Sequence, residues 1–278
     1  MRIELTSEPG DPGRPNEDHA SVAVPALGTG GVLVVLDGVT PPRGDDGCVH
    51  GVPWFTARLG GALLELAGSH RELTLRQCLS RAIARTAEAH RGECDLSHVR
   101  TPQATVVLAR WDADTVDHLV LSDSALLVET VDGTVEAVLD PRLSTLPDAV
   151  RALRERGDQA GYARAVEALR NAPGGEGFYT AAADPEVAEH AVTGGRERAS
   201  VRALLGLTDG AARWTETFRL GGWAELFALV HAEGPAGLVS RVRHAESEPP
   251  QDGPRRGKRH DDATAVLVEF DSRPGGAR

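Results

Sequence analysis

Four apolar runs with the composition of β-strands each carry an aspartate at one end, and this placement constrains the chain more than any other feature. They are Val32-Leu33-Val34-Val35-Leu36-Asp37-Gly38, Ala203-Leu204-Leu205-Gly206-Leu207-Thr208-Asp209-Gly210, Asp261-Asp262-Ala263-Thr264-Ala265-Val266-Leu267-Val268 and His118-Leu119-Val120-Leu121-Ser122-Asp123. A carboxylate at a strand end is costly unless something cationic meets it there. In an antiparallel sheet the end of one strand lies beside the start of its neighbour, so acids that follow one run and precede another can share an edge. The N-terminal segment fits this geometry. Glu17-Asp18 precede a short strand, His19 to Val24, residues 26–30 supply turn chemistry, and the next strand returns to Asp37. Folding that hairpin about its midpoint sets Asp18 opposite Asp37.

The 278 residues can bury a substantial core and are expected to form one domain over 1–271, with 272–278 as a disordered tail. A net charge of −11 argues against a general nucleic-acid or anionic-membrane binder. Cys48, Cys78 and Cys94 are widely spaced and odd in number, which supports neither a metal knuckle nor a disulfide framework. No apolar h-region opens the chain and no run reaches membrane-spanning length, so the expected compartment is the cytoplasm.

Residues 40–52, rich in Gly, Pro and Asp, read as a loop. Helices are expected from Pro53 to Ala67 with Gly68 as stop, and from Thr74 to about His90. Hairpins follow at Ala104–Arg110 with Val116–Leu121, and at Ala125–Val131 with Thr134–Leu139, the latter turning at Asp132-Gly133. Residues 147–171 read as an amphipathic helix, and 172–198 as loop and ill-defined chain. Two more helices, Gly222–Glu233 and Pro235–Glu246, separate the Asp209 run from the Asp261 run. Strands in hairpins and helices in pairs predict antiparallel sheets covered by helical layers.

Asp-Gly suits a hard-metal site: the carboxylate can bridge two cations, and glycine lets the backbone turn so that its carbonyl becomes a ligand. Asp37-Gly38 would serve in this way, Asp209 and Asp261 would complete a first metal, and Asp18 with Glu17 would reach a second. All-oxygen ligation favours Mg²⁺ or Mn²⁺. Each piece has a plain reading too: Asp-Gly as a turn, Asp209 as a helix cap, Asp261-Asp262 as solvated charge. Four such sites in register on one edge favour the metal.

Taken in order, Arg14-Pro15-Asn16-Glu17-Asp18, Val35-Leu36-Asp37-Gly38, Ser122-Asp123-Ser124, Thr208-Asp209-Gly210 and Asp261-Asp262-Ala263-Thr264 resemble the metal-dependent serine/threonine protein phosphatases of the PPM, or type-2C, family. The resemblance spans residues 14–270. It implies a four-layer α-β-β-α sandwich, two antiparallel sheets flanked by helix pairs, with a dinuclear metal centre at one edge. Residue by residue it implies that Asp37 bridges both metals, Gly38 lends its carbonyl, Asp209 and Asp261 bind the first metal, and Asp18 lies on the side of the second. Asp123 with Asp209 would hold a third, weaker ion, as in bacterial members, and Arg14 would clamp phosphate. Asp37, Asp209 and Arg14 are thus the expected catalytic set, and residues 141–200 the variable region that shapes substrate access.

Four departures stand out. The family's Asp-Gly-x-Gly-Gly is Asp37-Gly38-Val39-Thr40-Pro41, its Gly-Asp-Ser-Arg is Ser122-Asp123-Ser124-Ala125, its Asp-Asn is Asp261-Asp262, and Arg14 sits one residue closer to Asp18. None removes a direct ligand. The expected reaction is phosphomonoester hydrolysis by a metal-bridging hydroxide, on phosphoserine or phosphothreonine of a cytosolic protein. A serine/threonine kinase is a candidate partner. The alternative is a pseudophosphatase that binds a phosphoprotein or kinase without turnover, and a weaker one is a phosphatase for small metabolites. The basic stretch Arg255–His260 reads equally as a guide for phosphorylated partners or as a solvated loop. His19, His50 and His260 fall near the expected site and read as loop or packing residues, with His50 or His260 able to assist a leaving group.

Overall fold

The computed structural model describes residues 1–26, 29–42, 44–175, 177–248 and 258–271. Ten strands form two five-stranded sheets in which all the strand pairs are antiparallel. The strands are β1 (Arg2–Glu8), β2 (His19–Ala23), β3 (Gly31–Leu36), β4 (Val106–Trp111), β5 (Thr115–Leu121), β6 (Ala125–Thr130), β7 (Val135–Val138), β8 (Val192–Glu197), β9 (Val201–Leu207) and β10 (Ala263–Glu269). One sheet runs β1-β10-β9-β6-β7, the other β2-β3-β4-β5-β8. The helices are α1 (Val52–Ser69), α2 (Leu75–His90), α3 (Asp148–Glu155), α4 (Gln159–Leu169), α5 (Asp209–Glu216) and α6 (Trp223–Ser247).

The apolar runs explain the layering. On β3, Val32, Val34 and Leu36 pack with α1 and α2, while Leu33 and Val35 meet Leu204, Val266 and Val268 of the other sheet. On β10, Ala265 and Leu267 face α5 and α6. Both faces of the central strands are therefore buried, which is why their sequences are continuously apolar instead of alternating. The result is the expected α-β-β-α sandwich. A small separate cluster, Leu146, Val150 and Phe178 with Tyr162 and Leu169 against it, holds α3 and α4 together.

Several expectations need correction. The single helix over 147–171 is two, broken at Gly157, whose φ of 78° an ordinary side chain resists. Gly68 does not stop α1, which runs to Ser69. β1 and β8 carry no apolar run, because both are edge strands with exposed side chains, and sequence periodicity misses them. Helix α5 starts at Asp209 itself. Residues 255–257 of the basic stretch and the tail 272–278 lie outside the described residues.

Candidate metal centre

Register brings the acids together. His19 pairs with Leu36, so Asp18 and Asp37 leave adjacent strands at the same edge. Leu207 pairs with Ala265 on one side and Ala125 on the other, which sets Asp209 beside the start of β10, after Asp261, and the start of β6, after Asp123. Asp123 stands where the chain crosses from β5 in one sheet to β6 in the other. Ser122, before it, occupies the left-handed region at φ 69° where the family's motif has glycine, and its amide donates to the buried Asp140 carboxylate at 3.0 Å.

Thr208 and Thr264 tie the two sheets together at this edge. Both hydroxyls donate to Oδ2 of Asp18, at 3.0 and 2.7 Å, while Oδ1 of Asp18 is buried without a hydrogen-bond partner. A carboxylate held by one oxygen with the other aimed at nothing is the arrangement a cation completes. Gly38 is walled in. A Cβ there would lie 2.4 Å from Val52 Cγ1 and 2.5 Å from the Glu17 carbonyl oxygen. The ladder bonds beside it run from Thr105 N to Asp37 O and from Val39 N to Gln103 O, so the Gly38 carbonyl takes no part in them.

The electrostatics point the same way. Burial, then Asp209, Asp18 and Asp123, pushes the Asp37 carboxyl well above the usual range. Burial, then Asp123 and Asp261, pushes Asp209 up to about 7. Asp18 is pushed up to about 8 by burial, with Asp209 and Asp262 adding to it, against the two threonine hydroxyls. Asp123 is raised chiefly by burial. These carboxyls cannot all ionise side by side without positive charge among them. The donor set is all oxygen, and it fits Mg²⁺ or Mn²⁺.

The departures from the family's motifs acquire physical roles here. Asp262 accepts from the Gly10 amide at 2.8 Å and the Glu17 amide at 2.7 Å, so its charge anchors the N-terminal loop. Thr40, where the family has glycine, donates to Glu17 and receives a 2.8 Å hydrogen bond from Lys258, whose ammonium also lies 2.8 Å from Asp261 Oδ1. Arg14 is exposed at the mouth, where its charge acts on Glu17. Sequence reasoning missed Arg170, at the end of α4. Its guanidinium is largely buried, its Nε has no partner, and its charge reaches Asp123. Nothing in its local sequence marks it.

The histidines divide. His19 packs over Gly60 of α1, and His260 hydrogen-bonds the buried Glu246 at 2.8 Å. His50 faces elsewhere. It joins Cys48, His90 and Cys94, with one ligand atom from each of the four within 4.8 Å of every other. The fold thus brings together cysteines whose spacing suggested no metal site. Spacing rules see only local sequence, and here a loop meets a helix end.

An α-β-β-α sandwich with acids from both sheets gathered on one edge defines a class of metal-dependent hydrolases. The family model for protein phosphatase 2C matches residues 11–232, and the chain belongs to that family. Among solved structures, the serine/threonine phosphatase Stp1 from Staphylococcus aureus superposes with a TM-score of 0.60 at 13% identity, over 98% of this chain and 95% of that one. The catalytic domain of the serine/threonine phosphatase PstP, crystallised with two manganese ions, gives 0.57 at 16% identity, over 96% and 97%. Serine-threonine phosphatase 2C from Toxoplasma gondii gives 0.57 at 13% identity, over 97% and 94%. No curated protein matches the sequence.

Proposed function

We propose that this chain is a Mg²⁺- or Mn²⁺-dependent phosphomonoester hydrolase that acts on phosphoserine and phosphothreonine in proteins. The observation that carries this is the convergence of Asp18, Asp37, Asp123, Asp209 and Asp261 on one edge, with one buried Asp18 oxygen left unpaired. Asp37 would serve two ions with the Gly38 carbonyl as a further donor, Asp209 and Asp261 the first of them, Asp18 the second, and Asp123 with Asp209 a weaker third. When bound, such ions supply Lewis-acid charge that acidifies a water and offsets the phosphate's charge. That the catalytic domain of PstP was crystallised with two manganese ions supports a divalent-ion reading of this edge.

The chain's own groups then do the positioning. Thr208 and Thr264 fix the rotamer of Asp18, and Asp262 holds the Glu17 amide so that Glu17 and Asp18 stay at the edge. Arg14, at the mouth, grips the phosphate oxygens not under attack, with the planar fork that suits them. Positioning and charge neutralisation carry most of the rate in such reactions.

Hydrolysis of an aryl phosphate and of phosphopeptides, with Mn²⁺ and then with chelator, beside Asp209→Asn, tests this. Turnover lost both with chelator and in the variant is the expected result. Turnover indifferent to both would overturn it. One observation favours the second reading, a pseudophosphatase: Lys258 sets a fixed positive charge on Asp261, a ligand of the first ion in this assignment. Tight phosphopeptide binding without Mn²⁺-dependent turnover would select that reading.

A further inference from the structure

The second cluster lies outside the acidic edge and uses different chemistry. Cys48 and His50 come from the loop between Gly38 and α1, and His90 and Cys94 from the last turn of α2 and the turn after it. The two sulfurs are 3.2 Å apart, Cys48 Sγ lies 3.6 Å from His90 Nδ1 and 3.9 Å from His50 Nδ1, and Cys94 Sγ lies 3.4 Å from His50 Nδ1. A tetrahedral zinc ion with bonds of about 2.3 Å to sulfur and about 2.0 Å to nitrogen sets ligand atoms roughly 3.3–3.8 Å apart. The three sulfur–nitrogen distances lie within about 0.4 Å of the roughly 3.5 Å such an ion sets, and the sulfurs, 3.2 Å apart, would part by about 0.6 Å to receive it.

The surroundings are those of a built site. His50 turns Nδ1 to the sulfurs and leaves Nε2 3.4 Å from the Glu93 carboxylate, the outer partner that orients a ligating imidazole. Trp54 stacks on His50 with centroids 4.1 Å apart and tilts onto His90 at 5.1 Å, which shields one side from water. His90 is only 2% exposed. The backbone matches: the Cys94 amide bonds the His90 carbonyl at 3.0 Å, and the Asp95 amide bonds the Gly47 carbonyl at 2.7 Å, tying the two segments beside the ligands. Both cysteines are free thiols, and two thiolates with two imidazoles select zinc over the hard ions of the acidic edge.

We propose that Cys48, His50, His90 and Cys94 form a structural zinc site that fastens the loop leaving Asp37-Gly38 to the C-terminal end of α2. The site is closed, with four protein ligands and no open position, so its role is to hold backbone. What it holds matters to the neighbouring centre: Val52, the first residue of α1, forms the wall against which Gly38 sits. The clip therefore fixes the loop that replaces the family's glycine-rich turn.

The test is metal analysis of the full chain purified without added metal, followed by exchange of zinc for cobalt. About one zinc per chain is expected, and the cobalt form should show thiolate-to-cobalt charge transfer with the intense visible bands of four-coordinate cobalt. Asp37→Asn/Asp209→Asn should keep both signals, so they do not depend on the phosphatase reading. Cys48→Ser/Cys94→Ser should lose both and melt several degrees lower. Because the unaltered chain carries the zinc and cobalt readouts, an unstable variant does not spoil the test. Two results would each overturn the proposal: no zinc with an octahedral cobalt spectrum, or a Cys48–Cys94 disulfide that leaves Cys78 as the sole thiol.

Discussion

Asp37 belongs to one cluster of ligand-type side chains and, a short loop later, Cys48 opens another. The first offers only oxygen, from five segments distributed over both sheets, and strand register aligns it. The second offers sulfur and nitrogen from a loop and a helix end, and few backbone bonds align it. The acidic edge would be held together by a rigid sandwich whether or not a cation is present, at the cost of crowded carboxylates. The thiol–imidazole cluster has the reverse character: the backbone bond from Asp95 N to Gly47 O ties its loop to the chain after α2, and an ion would add to that tie. Pre-formed frames suit exchangeable catalytic ions, and loops suit ions that stay.

The comparison breaks most visibly at Asp37. Asp37→Asn should lower kcat/KM by about 10³-fold or more, roughly 4 kcal/mol of transition-state stabilisation. Its zinc content and melting temperature should stay near those of the unaltered chain. If the substitution also strips the zinc, the two clusters are one coupled centre and the contrast between them is wrong.

Ion binding should strengthen with pH at both clusters, and at the acidic edge the crowded carboxyls are the cause. With no cation at the acidic edge, Asp18 and Asp209 keep protons in the folded chain up to about 8 and about 7, above the ordinary carboxylate range of the unfolded chain. The folded state then binds more protons than the unfolded, and stability falls as pH rises from about 4 toward 8. A divalent ion that replaces those protons removes the fall. Mn²⁺ should therefore raise the melting temperature little at pH 5.5 and by at least roughly 4 °C at pH 8, about 2 kcal/mol. Thiolate ligation also strengthens with pH, so zinc should be lost on acidification as well. Melting curves of the chelated chain over pH 5–8, reloaded with Mn²⁺ alone or with zinc alone, assign each trend to its cluster.

How much of each cluster was legible in the sequence follows from how it is built. Asp18 and Asp37 could be paired because a hairpin's register is local, and Asp209 and Asp261 could be joined to them because each abuts a continuous apolar run. Antiparallel sheets covered by helices followed from those runs and from the paired helices, and the four-layer order from the resemblance to the type-2C family. Cys48 and Cys94 could not be joined, because His50 and His90 meet only through the packing of a Gly-Pro-Asp loop on α2, and nothing periodic records that contact. Arg170 was hidden for a similar reason, since it follows an amphipathic helix whose surface arginines look alike. The edge strands β1 and β8 escaped because an exposed edge needs no apolar pattern.

Arg170 sharpens the comparison at the rim of the acidic edge. If Arg14 grips phosphate, Arg14→Ala should raise KM for phosphopeptides by about 10-fold, close to 1.4 kcal/mol, with a smaller change in kcat. Arg170, buried beside Asp123, should behave differently. Arg170→Ala removes the positive charge that favours ionised Asp123, so it should raise the Mn²⁺ concentration needed for half-maximal activity about three-fold and leave KM for peptide nearly unchanged. Steady-state titrations with metal and with peptide distinguish the two arginines.

The smallest expected effect concerns Asp262, where this chain departs from the family's asparagine. Its two oxygens accept one amide each, from Gly10 and Glu17. An asparagine there keeps one acceptor and turns an NH₂ toward the other amide, which costs roughly 1–2 kcal/mol. The same change removes a negative charge that helps raise Asp18 and Glu17, so those carboxyls ionise more easily. That relief acts only where they would otherwise hold protons, toward the top of the pH range. Asp262→Asn should therefore lower the melting temperature of the chelated chain by about 3 °C at pH 5.5 and by less at pH 8. Zinc content should not change, because neither amide touches the loop of Cys48. A larger loss at pH 8 than at pH 5.5 would mean that the charge of Asp262 does not crowd Asp18 and Glu17 in the folded chain.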